Sequence, residues 1–293
     1  MVIADRCAIY VNSSFNLNTF GWPIFVSMIL YTIQLYAEFS GCINIVEGVS
    51  KMFGINLPNN FERPFFSKDI QEFWRRWHMT LGSWLKEYVF YPISLSKFNL
   101  TIQKFCKKHL NSYWNKFIAA ALPLLFVWLV NGIWHGASYK YVIYGMYYYI
   151  LMMIGLLTKK FTDKLLLKLK INKVLLYLFR VFRTILIVIV GMTLFRASSV
   201  NEFFAILGNI FTKGGSVLNY GLFKIDFIIL IICNLVILLI GILEEKHIID
   251  IKKGFTNNVI LRSVIYAIII STIVILGIYG EGYDASDFIY GAF

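Results

Sequence analysis

Two histidines have surroundings that suit acid–base chemistry. His78 lies in the segment WRRWHMT, between aromatic and cationic residues, and His135 lies in NGIWHGAS, at the end of a long apolar run. An ionisable side chain in or beside a membrane span is costly to bury, so it indicates a function by default. A neutral imidazole in an apolar tunnel is a suitable general base for a hydroxyl nucleophile. The alternative for His135 is a packed histidine that hydrogen-bonds a neighbouring helix, and for His78 an interfacial residue in an aromatic belt.

The residues beside His135 provide polar and small side chains on one helical face. Asn131 precedes His135 by one turn, so its amide could orient the imidazole. Gly132 and Gly136 leave room for the close approach of another backbone or of a substrate. Trp134 precedes the histidine directly and is included as a candidate donor-binding residue.

The residues before His78 are cationic and aromatic. Arg75 and Arg76 are typical headgroup contacts, and they could also hold a phosphate-bearing donor such as a coenzyme or a carrier-protein arm. Trp77 completes the candidate donor-binding set on this side. The other two histidines, His109 and His247, follow charged residues in loops and are interpreted as solvated.

Several other kinds of site are not indicated. The sequence contains no GxGxxG, Walker, HExxH or GxSxG motif, and its four cysteines show no metal-binding spacing. A metal held by the two histidines would need further ligands, and none lies at a suggestive spacing. We therefore expect no metal and no bound cofactor. Carboxylates do not pair within the spans, and no two related halves are visible, which disfavours a secondary transporter.

The composition indicates a polytopic membrane protein. Of 293 residues, 58% are hydrophobic and only 15% are charged, which is too apolar for a soluble domain. The spans have no sheet-like alternation, so the predicted fold class is all-α. Six apolar runs are long enough to cross a bilayer; they are residues 21–39, 117–134, 139–157, 174–195, 226–243 and 259–279.

The net charge of +12 is explained by the positions of the lysines. Residues 97–116 and 159–173 are rich in lysine and lie between apolar spans, so the positive-inside rule places both in the cytoplasm. This predicts an extracytoplasmic N-terminus, and it gives no reason to expect nucleic acid as a partner. The acidic tail after residue 280 agrees with an outside position.

The segments between the spans are predicted to form amphipathic helices. Residues 61–92 place apolar side chains on one face of a helical wheel centred on Trp77, with Ser67 as a plausible N-cap. We interpret this stretch as one helix at the membrane surface, within a set of cytoplasmic-side helices over 44–113. Residues 200–212 predict an interfacial or re-entrant helix. The whole chain, 1–293, is expected to be a single membrane-embedded domain.

The ordered motifs resemble those of the membrane-bound O-acyltransferases. The stretch EFWRRWHMTLGSW followed by GIWHGA is similar to the subgroup of alginate O-acetylases and D-alanyl-lipoteichoic acid transfer proteins. VIADR, QLYAEFSGCI, FGINLP, LFRAS and the closing FIYGAF resemble further landmarks of the family. The resemblance implies that His135 is the catalytic histidine and His78 the second characteristic histidine.

The resemblance also implies the reaction. Such proteins move an acyl group from a cytoplasmic thioester to an acceptor on or across the bacterial plasma membrane. The stretch FYPISLSK is closer to the polysaccharide O-acetylases, which implies acetyl-CoA as donor, a cell-surface glycan as acceptor and a separate extracytoplasmic acyltransferase partner. D-alanyl transfer to teichoic acid is the alternative reaction.

Two departures from the family pattern are visible. Family members usually have several spans before the VIADR position, so the chain resembles the C-terminal part and is expected to be N-terminally truncated. The alternative is therefore an inactive membrane scaffold or acyl-passing module. Tyr148 and Tyr149 stand where the family often has a His-Gly pair.

Overall fold

The computed structural model describes residues 2–169, 171–248 and 258–278. Within these residues the chain is helical and contains no strand, which confirms the all-α prediction. The helices are α1 Ala4–Ser14, α2 Trp22–Met52, α3 Ile70–Arg76, α4 Met79–Leu85, α5 Tyr91–Ser94, α6 Lys97–His109, α7 Ser112–Trp134, α8 Tyr139–Leu169, α9 Lys173–Arg196, α10 Val200–Asn209, α11 Lys224–Glu245 and α12 Val259–Leu276. A 3-10 turn at Pro64–Phe66 and a π-helical turn at Lys86–Phe90 complete the regular structure. The tail after residue 280 and the closing FIYGAF lie outside the described residues.

Six helices of the described chain are long and apolar enough to cross a membrane, as predicted. They are α2, α7, α8, α9, α11 and α12. The first differs most from its predicted bounds, because α2 continues to Met52 whereas hydropathy predicted an end at residue 39. Hydropathy falls where polar residues begin, but those residues remain compatible with a helix, so the helix is longer than its apolar run.

The described residues form two compact units. The first consists of those within Met1–Phe53 and Asn201–Ala292, and it contains α1, α2, α10, α11 and α12. Arg6, in the VIADR landmark, is buried and joins three helices of this unit. Its guanidinium donates to Asp226 Oδ1 on α11 at 3.0 Å and to the Leu276 carbonyl of α12 at 2.6 Å. A buried cation needs such partners, so these bonds have a structural role.

The second unit, which consists of the described residues within Gly54–Val200, contains both candidate histidines. Its scaffold is the antiparallel pair α7 and α8. Gly132 and Gly145 allow this pair to pack closely, because a Cβ at Gly132 would collide with the Tyr141 carbonyl, and one at Gly145 with the Trp128 carbonyl. The predicted close approach of a backbone at Gly132 is thereby confirmed.

The prediction of one amphipathic helix within residues 61–92, capped at Ser67, is wrong. The stretch contains three short helices and a π-helical turn, and the first break falls at Trp77 and His78. Trp77 pairs with Phe61 in an antiparallel bridge, where Glu62 N–H donates to the Arg76 carbonyl at 2.9 Å. The helical wheel failed because its centre residue is extended, with φ −113° and ψ 127°.

The N-terminus of α3 is capped by a different residue from the one predicted. Asp69 Oδ1 accepts the Glu72 N–H at 2.8 Å, and Glu72 Oε2 accepts the Lys68 N–H at 2.9 Å. This reciprocal arrangement satisfies the Glu72 N–H in the first turn of the helix and the Lys68 N–H just before its N-cap. Ser67, the predicted cap, is buried instead of capping the helix.

Candidate functional site

The second unit brings His78, Trp134 and His135 together, although His78 and His135 are far apart in sequence. The Trp134 indole contacts both imidazoles, with ring centroids 5.8 Å from His78 and 4.8 Å from His135. Trp134 is half exposed, whereas His135 is only 7% exposed. The two histidine motifs found in the sequence therefore form one site.

His78 is held in an uncommon backbone conformation. Its φ of 48° and ψ of 54° lie in the left-handed region, which non-glycine residues seldom adopt. This conformation ends the bridge to Phe61 and begins α4. Strained backbone of this kind persists only where its surroundings enforce it, and it concentrates at functional sites.

Asn60 fixes the His78 ring. Its Oδ1 accepts from the Thr80 main-chain N–H at 3.3 Å and from Thr80 Oγ1 at 2.6 Å, and it lies 3.2 Å from His78 Nδ1. The main-chain N–H can only donate, so the Asn60 atom facing it must be the oxygen. His78 Nδ1 must then carry the proton, which makes Nε2 the unprotonated nitrogen of the neutral ring.

Both imidazoles are neutral at physiological pH. Burial lowers the pKa of His78 from 6.5 to about 4. Burial also lowers the pKa of His135 to about 4, and because protonating both neighbouring rings would bring two positive charges together, His78 adds to this effect. A neutral imidazole keeps a lone pair, so each ring can accept a proton.

His135 lies at the C-terminal end of α7 within a cluster of aromatic rings. Phe195 of α9 packs edge-on against it at 5.0 Å between centroids, and Tyr144 of α8 does so at 5.9 Å. Tyr141 lies at 6.2 Å. Gly136, with φ of 143°, packs against the Tyr141 ring, which leaves no room for a larger residue. The rings exclude water from the imidazole, which explains its lowered pKa.

Asn131 does not orient the His135 imidazole. Its Nδ2 is buried without a hydrogen-bond partner among the described residues. The side chain is only 4% exposed. Asn131 and His135 do follow each other by one turn at the end of α7. Contact between the amide and the imidazole depends on the side-chain torsions of Asn131, which the spacing in the sequence does not determine.

The three residues before His78 occupy different environments. Arg76 donates to Glu72 Oε1 at 2.8 Å and to the Arg63 carbonyl at 3.4 Å. Trp77 is buried and stacks on Phe73 with centroids 5.5 Å apart. Arg75 is exposed. Of the three, Arg75 is therefore the side chain best placed to meet an anion from solution.

Several site residues were not found from the sequence. Asn60 lies in a loop, and its bonds to His78 and Thr80 depend on the tertiary pairing of two segments. Trp74, Tyr144 and Phe195 contribute the rings around His135 and its neighbours. The available signals were the landmarks EFWRRWH, which contains Trp74, and LFRAS, which contains Phe195. Within the described ranges, no three His, Cys, Asp or Glu side chains are grouped so as to hold a metal ion.

A membrane-embedded, all-helical chain with a buried and a half-buried neutral histidine in one aromatic site defines a class of integral membrane proteins suited to acid–base transfer chemistry. Residues 8–199 match the model of MBOAT, the membrane-bound O-acyltransferase family. The chain belongs to this family.

Named relatives support the subgroup suggested by the motifs. The chain is 36% identical over 122 residues to a teichoic acid D-alanyltransferase of Bacillus subtilis, covering 42% of this chain and 28% of that protein. It is 30% identical over 213 residues to the protein of Pseudomonas putida named "Probable alginate O-acetylase AlgI", covering 72% and 39%. It is 35% identical over 151 residues to a peptidoglycan O-acetyltransferase of Helicobacter pylori, covering 50% and 25%. The chain thus spans less than half the length of each of these relatives.

Proposed function

We propose that the chain carries the acyl-transfer site of a membrane O-acyltransferase. The site would move a short acyl group, acetyl in the first instance, from a cytoplasmic thioester such as acetyl-CoA towards a hydroxyl of a cell-surface polysaccharide. A bacterial plasma membrane and a separate extracytoplasmic acyltransferase partner belong to the same proposal. The observation that carries it is the convergence of two neutral histidines on Trp134.

In the proposed reaction His135 is the general base. Its neutral imidazole takes the proton of the acceptor hydroxyl while the hydroxyl oxygen attacks the thioester carbonyl carbon. The carbon–sulfur bond then breaks, and the imidazolium returns the proton to the leaving thiolate. The aromatic rings keep water from competing for the acyl group.

His78 suits a different task. With the proton on Nδ1, its Nε2 can accept a hydrogen bond but cannot donate one to a carbonyl oxygen. This arrangement supports contact with an N–H, O–H or S–H group of a substrate. Polarisation of the thioester carbonyl by His78 is not supported, because the Nε2 of the neutral ring carries neither a proton nor a charge.

The proposal is tested by replacing His135 with alanine in the full chain, expressed in a strain that lacks the native gene. Surface-polysaccharide acetyl ester, released by mild base and quantified, should fall to background while the protein stays in the membrane. His109→Ala, at an exposed histidine of α6, is the matched control and should retain wild-type acetylation. Undiminished acetyl ester in His135→Ala cells would show that His135 is not the base, and no ester in the wild type would favour an inactive scaffold.

D-alanyl transfer to teichoic acid is the second candidate. The 36% identity to the Bacillus subtilis teichoic acid D-alanyltransferase favours it over other acyl groups. The same mild-base release separates the two candidates, because D-alanine and acetate are distinguished by chromatography. If D-alanine is released and its release depends on His135, the transferred group is D-alanyl and not acetyl.

A further inference from the structure

Two N–H donors in the second unit are buried without acceptors. Trp74 Nε1 on α3 and Asn131 Nδ2 on α7 have no hydrogen-bond partner among the described residues. The nearby Trp128 differs, because its Nε1 donates to Met152 Sδ at 3.4 Å. Leaving a buried donor unsatisfied is costly, so such groups in a native structure require an explanation.

Asn131 precedes the proposed base on α7, and Trp74 is one aromatic ring removed from it. Asn131 is one helical turn before His135 on the same face of α7, a spacing of about 6 Å between Cβ atoms. Trp74 contacts Trp128 at 5.2 Å and Tyr144 at 6.5 Å between centroids, and Tyr144 in turn contacts His135 at 5.9 Å. Trp74 is therefore connected to the base through one ring, Tyr144, and it also lies against Trp128, one turn before Asn131 on α7.

We propose that the Asn131 and Trp74 N–H groups donate to the acyl carbonyl oxygen of the thioester. This inference rests on the proposed function and adds the residues that stabilise its charged intermediate. A carbonyl oxygen has two lone pairs and no hydrogen, so it can satisfy both donors at once.

The two donors act when charge develops. As the acceptor oxygen bonds to the carbonyl carbon, the C=O π electrons move onto the carbonyl oxygen, and the two N–H bonds stabilise the resulting negative charge. When the C=O bond re-forms, the carbon–sulfur bond breaks and the thiolate receives the proton held by His135. Removing one such donor from an acyl-transfer site typically lowers kcat about 10²-fold to 10³-fold.

The inference is tested with Asn131→Leu and Trp74→Phe in the full chain, reconstituted in nanodiscs with acetyl-CoA as donor. Each variant should lower kcat about 10²-fold and leave KM nearly unchanged, since the bonds strengthen mainly in the transition state. Asn234→Leu and Trp114→Phe are the matched controls. Asn234 Nδ2 already donates to the Leu230 carbonyl at 2.8 Å, and Trp114 is exposed at the start of α7, so both should retain the wild-type rate.

A spectroscopic measurement separates this role from a packing defect. The carbonyl band of bound [1-¹³C]acetyl-CoA, recorded by isotope-edited infrared difference, should lie at lower wavenumber in the wild type than in either variant. A slow variant with an unshifted band would overturn the inference, as would wild-type rates in both variants. If His135→Ala transferred acetyl as fast as the wild type, the proposed function itself would fail, and that result is distinguishable from the others.

Discussion

At the scale of single residues, Asn60 makes a specific prediction about His78. Asn60→Asp keeps the oxygen that accepts from Thr80, but it places a negative charge beside His78 Nδ1–H. That charge favours the imidazolium and raises the pKa of His78, so the acid limb of the pH–rate profile should move upward. Asn60→Ala should instead lower the rate at all pH values, because it releases the ring without adding charge.

The control for Asn60 is another asparagine with a similar bonding pattern. Asn172 caps α9 by accepting from the N–H groups of Val174 and Leu175 at 2.8 and 3.4 Å. Asn172→Asp keeps the cap and should not move the acid limb. His135 is electrostatically coupled to His78. The ion pair between Glu72 and Arg76 lies on the preceding helix. An unshifted profile in Asn60→Asp would show that Asn60 does not set the state of His78.

The wild-type pH dependence follows from the same groups. Because burial lowers the pKa values of His78 and His135 from 6.5 to about 4, activity should persist through pH 5 and fall with a midpoint near 4. The free energy of unfolding should also decrease as the pH falls. Between pH 6.5 and about 4 the two histidines bind more protons in the unfolded chain than in the folded one, so the stability present above pH 6.5 is lost as the pH falls towards 4. Rates and thermal unfolding midpoints of the detergent-solubilised protein, measured from pH 4 to 8, check both expectations.

At the scale of elements, the α7–α8 contact depends on its two glycines. Gly132→Ala and Gly145→Ala would each force a Cβ into the facing backbone, which should destabilise the pair by roughly 1–3 kcal/mol. His135 lies at the end of α7, so activity should fall as well. Gly155→Ala on α8 is the control, since nothing lies within 4 Å of its added Cβ. The unfolding midpoint should drop in the first two variants and not in the third.

The elements also show what a sequence can predict. Hydropathy found the six long helices, because an apolar run is a local property of the chain. It could not find the break at Trp77, because the bridge to Phe61 depends on a segment sixteen residues away in sequence, across the 3-10 turn. The histidines were visible as local motifs, whereas Asn60 and the unpartnered donors of Trp74 and Asn131 became visible only once α3 and α7 were packed.

At the scale of the whole molecule, the proposed topology assigns sides to the connecting segments. The lysine-rich segments 97–116 and 159–173 should share the cytoplasmic side, and the segment between α10 and α11 should lie outside. In a background without native cysteines, Lys104→Cys and Lys168→Cys should resist an impermeant maleimide applied to intact cells. Ser216→Cys, which replaces an exposed residue of the outer segment, should react. Labelling of all three sites from outside would contradict the assignment.

The length of α7 determines how far the two histidines lie from the residue at which α7 begins. α6 precedes α7 directly, and the two histidines meet at the other end, about 34 Å away for 23 residues at 1.5 Å each. If α7 crosses the bilayer, a thioester from the lysine-rich side must reach through the protein to meet His135. The segment that contains His78 therefore reaches the end of α7 that lies opposite the lysine-rich segment 97–116.

The neutrality of the two imidazoles has an electrical consequence. Moving one elementary charge across a membrane costs about 2.3 kcal/mol per 100 mV, but an acetyl group passed between neutral groups moves no net charge. Acetylation should therefore proceed at the same rate when an ionophore collapses the membrane potential while cytoplasmic acetyl-CoA is kept constant. Transfer of a D-alanyl group, whose ammonium is charged, should respond to the same treatment. Voltage dependence thus reports which acyl group crosses, without any need to identify the acceptor.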